Sequence, residues 1–107
     1  MSEFKIDFQK MNGLIPAIIQ DQKSKEVYML GFMSEESFTK TKETGYVWFF
    51  SRTRNRLWMK GESSGDKLRV KEIRIDCDND SILILVELEG ESVCHTGNKS
   101  CFYRKLK

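Results

Sequence analysis

The chain has 107 residues, 39% of them hydrophobic and 32% charged, and 18 basic against 16 acidic residues leave a net charge of only +2. That charge does not identify a nucleic-acid binder, and no apolar run approaches the ~20 residues of a membrane span. Three cysteines are an odd number, which argues against the disulfide framework of a small secreted domain. The charged opening MSEFKIDFQK has no signal-peptide character, so a cytoplasmic protein with reduced thiols is expected.

One domain over residues 1–107 is expected, because no linker, repeat or low-complexity segment interrupts the chain. A domain of this size buries roughly 60–70% of its unfolded surface, enough for a core. In chain order, strand-like runs cover Leu14 to Gln20, Glu26 to Leu30, Tyr46 to Ser51, Arg56 to Lys60, Leu68 to Ile75 and Ile82 to Leu88, with a last short one at Ser100 to Arg104. One helix interrupts them. Ser34 is placed as its N-cap, with Glu35 and Glu36 in the first turn, Met33 and Phe38 at the staple positions, and Gly45 as terminator. Glu36 and Lys40 form a favourable i,i+4 pair on its surface.

Arg52, Arg54, Arg56 and Lys60 fall at even positions, so a strand there would carry its cations on one face. That face is either ordinary solvated surface or a phosphate-binding one, with Ser63, Ser64 and Gly65 supplying hydroxyls and N–H groups. The alternation of Leu68 to Ile75 slips between Val70 and Ile73, as a bulge would produce. The run ILILV is apolar on both faces and reads as a central strand. The pattern predicts a mainly β domain with α+β character.

Two segments carry chemistry. In DCDND, an extended backbone would set Asp76, Asp78 and Asp80 on one side and Cys77 on the other. Carboxylates suit magnesium or calcium, and a thiolate suits zinc. The EF-hand pattern is opposed by Ser81 at its glycine position and by strand-like flanks. The remaining alternative is a solvated acidic turn.

Downstream, CHTGNKSC separates Cys94 from Cys101 by six residues containing Gly97 and Asn98, a turn that could join the thiols. Cys77 must reach them through the fold or from a second chain. Three thiolates would leave one tetrahedral position for water, the pattern of a catalytic zinc; the other reading is three buried structural cysteines. His95 adjoins Cys94 and is better placed as a proton carrier or substrate contact than as a fourth ligand.

GLIPAIIQD, SRTRNRLWMKGESSG, IDCDND and CHTGNKSCFYR together resemble the phosphoribosyl-AMP cyclohydrolases of histidine biosynthesis, in the family's order and over nearly the whole chain. Thr53, the LGFMS segment and Asp66 depart from the commoner pattern, and Asp66 adds a negative charge beside the basic segment.

The resemblance implies a monofunctional enzyme with a twisted, largely antiparallel, barrel-like sheet in an interwoven homodimer. It implies zinc on Cys77 of one subunit with Cys94 and Cys101 of the other, magnesium on Asp76, Asp78 and Asp80, and a nucleotide substrate. The implied reaction is hydrolytic opening of the N1–C6 bond of the adenine ring by zinc-activated water. His95 would move protons, and Arg52, Arg54, Lys60, Ser63, Ser64 and Gly65 would meet the substrate's phosphates. No membrane or nucleic-acid partner is expected.

A zinc nucleobase deaminase would need an H-x-E…P-C-x-x-C signature that is missing here. A non-catalytic zinc-dependent RNA-binding module would use the basic strand but gives DCDND no purpose.

Overall fold

Among residues 5–107, which the computed structural model describes, six strands and one α-helix form; the first four residues of the charged opening lie outside that range. β1 (Ile15–Asp21), β2 (Val27–Met33), β5 (Lys67–Ile75) and β6 (Ile82–Glu89) make a twisted sheet in the order β2-β1-β6-β5. β1 pairs antiparallel with β2, and β5 with β6, while β1 and β6 run parallel. As its two-faced apolarity predicts, β6 lies inside the sheet, with Ile82, Ile84, Leu85 and Val86 all buried. The expected bulge is present: the β5–β6 register shifts between Val70 and Glu72.

β3 (Trp48–Ser51) and β4 (Arg56–Met59) form a separate antiparallel hairpin. It joins β5 through the bridge Tyr46↔Arg69 and through Val47 N–H, which donates to Leu68 O at 3.1 Å. So few bonds leave the two sheets distinct, and no closed barrel forms among the described residues. The expected twisted, largely antiparallel sheet is present, with β1–β6 its one parallel pair, and a second, antiparallel two-stranded sheet stands beside it in place of barrel closure. The hairpin docks through the buried ring of Phe49, which lies over Gly31 of β2. A Cβ on Gly31 would stand 2.5 Å from that ring, so only glycine permits this approach.

Helix α1 (Glu35–Thr44) follows its caps. The Ser34 side chain accepts from Ser37 N–H at 3.2 Å, Ser37 Oγ accepts from Ser34 N–H at 2.9 Å, and Gly45 ends the helix at φ 80°. Buried Thr41 fastens it to β3 by accepting Trp48 N–H at 2.9 Å. Lys40 sets its ammonium 5.1 Å from the Trp48 ring centroid.

Two local expectations differ from the structure. Residues 52–55 are the hairpin turn, with Asn55 at φ 53°, so Arg52 and Arg54 do not share a strand face with Arg56. Ser100 to Arg104 is not a strand, because it meets the edge of β2 through one backbone bond, Cys101 N–H to Tyr28 O at 2.7 Å, rather than a ladder. Ser100 Oγ adds a bond to Val27 O at 2.7 Å.

Candidate active site

Asp76 to Asp80 is the turn that closes the β5–β6 hairpin, not the extended segment expected. Asn79 takes a left-handed φ of 66°, and Asp76 N–H donates to Ser81 O at 3.0 Å across the turn. The Asp76 carboxylate accepts the amides of Asp80 at 3.0 Å and Ser81 at 3.2 Å. By this route, rather than by strand alternation, the turn gathers Asp76, Asp78 and Asp80 so that one oxygen from each lies within 4.8 Å of the others. The flanks are strands, which excludes an EF-hand.

The trio is electrostatically unequal. Burial works against the Asp76 carboxylate, but the Asp80 and Ser81 amides outweigh it and hold its pKa down. Burial, hydrogen bonding with Asp76 and Asp78, and the Asp78 charge push Asp80 up, while Lys10 opposes them. Crowded carboxylates of this kind could hold a cation. Oxygens on one octahedral magnesium stand about 3.0–4.2 Å apart, a spacing of the same order as the 4.8 Å spread of these hard donors.

The second cluster lies in the loop after β6. Cys94 N–H donates to Asn98 O at 3.1 Å and Gly97 N–H to Cys94 O at 3.0 Å, a tight turn of the kind Gly97 and Asn98 predict. Together with the anchor of Cys101 on β2, this turn brings the Cys94 and Cys101 thiols near enough for each to shift the other's titration. Thr96 Oγ1 donates to Cys94 Sγ at 3.1 Å; Thr96 first, then Cys101 and Lys60, hold the Cys94 thiol below its ordinary value against the pull of burial. Burial and the Cys94 sulfur push Cys101 up. The two sulfurs together are a soft donor pair that could hold zinc.

Cys77 sits exposed on the acidic turn, and the aspartate trio is the one group of three or more metal-type donors gathered among the described residues. A single chain therefore brings two of the three thiols together. His95 is exposed beside Cys94.

A cavity of about 370 Å³ lies along the basic segment, lined by Arg54, Lys60, Ser63 and Ser64 together with Trp58 and Glu62. Lys60, which lines the cavity, also exerts its charge on both thiols of the cysteine loop. Arg52 and Gly65 are not among its lining residues. The Arg52 guanidinium covers the Phe32 ring at 4.0 Å, and Gly65 shapes the turn by donating to Gly61 O at 2.8 Å. Glu62 has structural ties, accepting Met59 N–H at 3.1 Å and lying 3.6 Å from Arg56.

Asp66 is likewise not among the lining residues, and its carboxylate accepts Glu91 N–H at 3.0 Å. Lys10 is the residue that sequence reasoning missed. Its ammonium lies 3.5 Å from Asp78 and 3.4 Å from Asp80, across a separation in sequence that no local pattern signals.

The sequence profile of the phosphoribosyl-AMP cyclohydrolase family matches residues 29–103. Among curated proteins, a phosphoribosyl-AMP cyclohydrolase of Clostridium beijerinckii is 61% identical over 102 residues, covering 95% of this chain and 93% of that protein. Its counterpart in Clostridium botulinum is 63% identical, covering 94% of this chain and 92% of its own. The one in Geotalea uraniireducens is 58% identical, covering 94% and 81%.

Proposed function

The chain belongs to the phosphoribosyl-AMP cyclohydrolase family, and from that premise we propose a metal-dependent site shared between two copies of the chain. The enzyme is a hydrolase of histidine biosynthesis that opens the adenine ring of phosphoribosyl-AMP. One cyclohydrolase domain over residues 1–107, working in the cytoplasm without a nucleic-acid partner, is part of the same reading. No described helix is long and apolar enough to cross a membrane.

The observation that carries the shared site is the division of the thiols. Cys94 and Cys101 lie near each other in one loop of the chain, whereas Cys77 sits exposed on another turn. We assign zinc to Cys77 of one subunit with Cys94 and Cys101 of its partner, and magnesium to Asp76, Asp78 and Asp80. Exposed Val27 and Leu30 on the edge strand β2, with Phe102 and Tyr103 beyond it, give apolar surface for the second copy to cover.

Zinc, when held there, supplies a water acidic enough to act as nucleophile near pH 7. The substrate's adenine carries a ribose on N1, so the ring is cationic and C6 is electrophilic. Addition of water at C6 and cleavage of the N1–C6 bond leave a carboxamide and a formimino group. The proton lost by the water must reach the departing nitrogen, and exposed His95 beside Cys94 can carry it. Arg54 and Lys60 set cations in the cavity where Ser63 and Ser64 offer hydroxyls, a donor set suited to phosphate. Arg52 and Gly65 are assigned to the rim of the same surface. Magnesium on the aspartates would help neutralise the phosphates.

The test is turnover of phosphoribosyl-AMP by chelator-stripped protein, with zinc and magnesium restored separately and together. Ring opening should require zinc and increase with magnesium, and Cys101→Ser should lose bound zinc and turnover together. Full turnover by Cys101→Ser without zinc contradicts the zinc assignment.

A further inference from the structure

The segment before β1 is fastened to the acidic turn. Asp7 N–H donates to Asn79 O at 2.7 Å, and Lys10 N–H to Asp7 Oδ1 at 3.1 Å. From there the Lys10 ammonium donates to Asp78 O at 3.1 Å and lies 3.5 Å from Asp78 Oδ2 and 3.4 Å from Asp80 Oδ2. Among the described residues, no other ion pair reaches the trio. We propose that Lys10 is a built-in competitor for the divalent ion at Asp76, Asp78 and Asp80, offsetting part of the charge of the metal-free turn and limiting how tightly the ion binds. The inference rests on the reading of that trio as the magnesium site.

The physics is charge competition. Three carboxylates within 4.8 Å repel one another, and a nearby ammonium relieves part of that repulsion. A lysine is a compact charge on a flexible stem, so it can retreat when an ion arrives, unlike a rigid bidentate arginine clamp. Whether it withdraws or stays, the ion loses affinity, either by displacing a favourable contact or by facing a like charge. A divalent ion and an ammonium about 5 Å apart in water repel by an amount worth roughly tenfold in affinity. Salt screens much of this. A lysine that served only as a strap would act in the opposite direction, since its loss would loosen the turn and weaken ion binding.

The test is calorimetric titration of Mg²⁺ into full-length, zinc-loaded, magnesium-free protein, comparing wild type, Lys10→Met, Lys10→Arg and Asp78→Asn. Melting temperatures of the magnesium-free forms are recorded beside it. Lys10→Met should bind Mg²⁺ about tenfold more tightly at low salt, with a smaller gain at high salt. It should also melt lower than wild type when magnesium-free, while Lys10→Arg, which keeps the charge, should show no gain in affinity. Unchanged or weaker binding by Lys10→Met, with binding abolished by Asp78→Asn, would overturn the role of Lys10 and leave the magnesium site standing. Absence of Mg²⁺ binding in both wild type and Lys10→Met overturns the site and the competitor together.

Discussion

Asp66 follows the SSG turn at a point where its charge could oppose a phosphate, yet its carboxylate is spent on Glu91 N–H at 3.0 Å. A Cβ on Gly90 would collide with that carboxylate, so the two residues are fitted to each other just before the cysteine loop. Asp66→Asn keeps an oxygen acceptor and should leave KM unchanged, whereas Asp66→Ala leaves the amide unpaired and should cost about 1–2 kcal/mol. Steady-state kinetics and denaturant melts of the pair check this. A lower KM in Asp66→Asn would mean that the charge does reach the phosphate.

Asp21 illustrates a pH effect with a defined sign. Burial pushes its pKa up, but the Ser24 and Lys23 amides and the Tyr28 hydroxyl outweigh burial and hold it below the usual carboxylate value. A depressed folded pKa stabilises above the unfolded value near 4 and is lost as pH falls through the folded value. Asp21→Asn should therefore be less stable at pH 7 by about 1 kcal/mol, a partly exposed site giving the low end of the range. Its melting temperature should approach that of wild type as the pH drops below 4, and a gap constant with pH would contradict the ionic origin.

The elements differ in how far they were legible. Helix α1 could be read because its signals are local: Ser34, Gly45 and the first-turn glutamates act within one turn of themselves. The β5 bulge and the interior place of β6 were likewise visible in the alternation of side chains. The Arg52–Asn55 turn was not, because even spacing of cations looks the same in a strand and in a turn. In DCDND the three carboxylates do come together, but not through an extended backbone, since the Asp80 and Ser81 amides bond the Asp76 carboxylate and close a turn. No local feature marks Ser100 to Arg104 as unpaired; strand formation there depends on a partner edge.

Packing between elements offers its own test. Gly31→Ala forces a methyl against the Phe49 ring and should destabilise by about 1–3 kcal/mol while leaving metal binding intact, checked by urea melts and zinc content.

At the scale of the molecule, the fold sets apart the groups that the proposed zinc site would combine. The acidic turn with Cys77 caps the β5–β6 hairpin, while Cys94 and Cys101 lie in the loop beyond β6, which is tied to β2 at Ser100 and Cys101. Lys10 shows the same long-range construction and was equally silent in the sequence. The edge of β2 and the final residues leave Leu30, Phe102 and Tyr103 exposed, where a second chain would cover them. A site shared in this way makes a prediction that no single-chain site shares. Cys77→Ser and Cys94→Ser should each be inactive alone. Mixed under conditions that let subunits exchange, they should regain about a quarter of wild-type turnover, because half the dimers are hybrids and each hybrid carries one intact site. No recovery after demonstrated exchange would contradict the division of the zinc ligands between two chains.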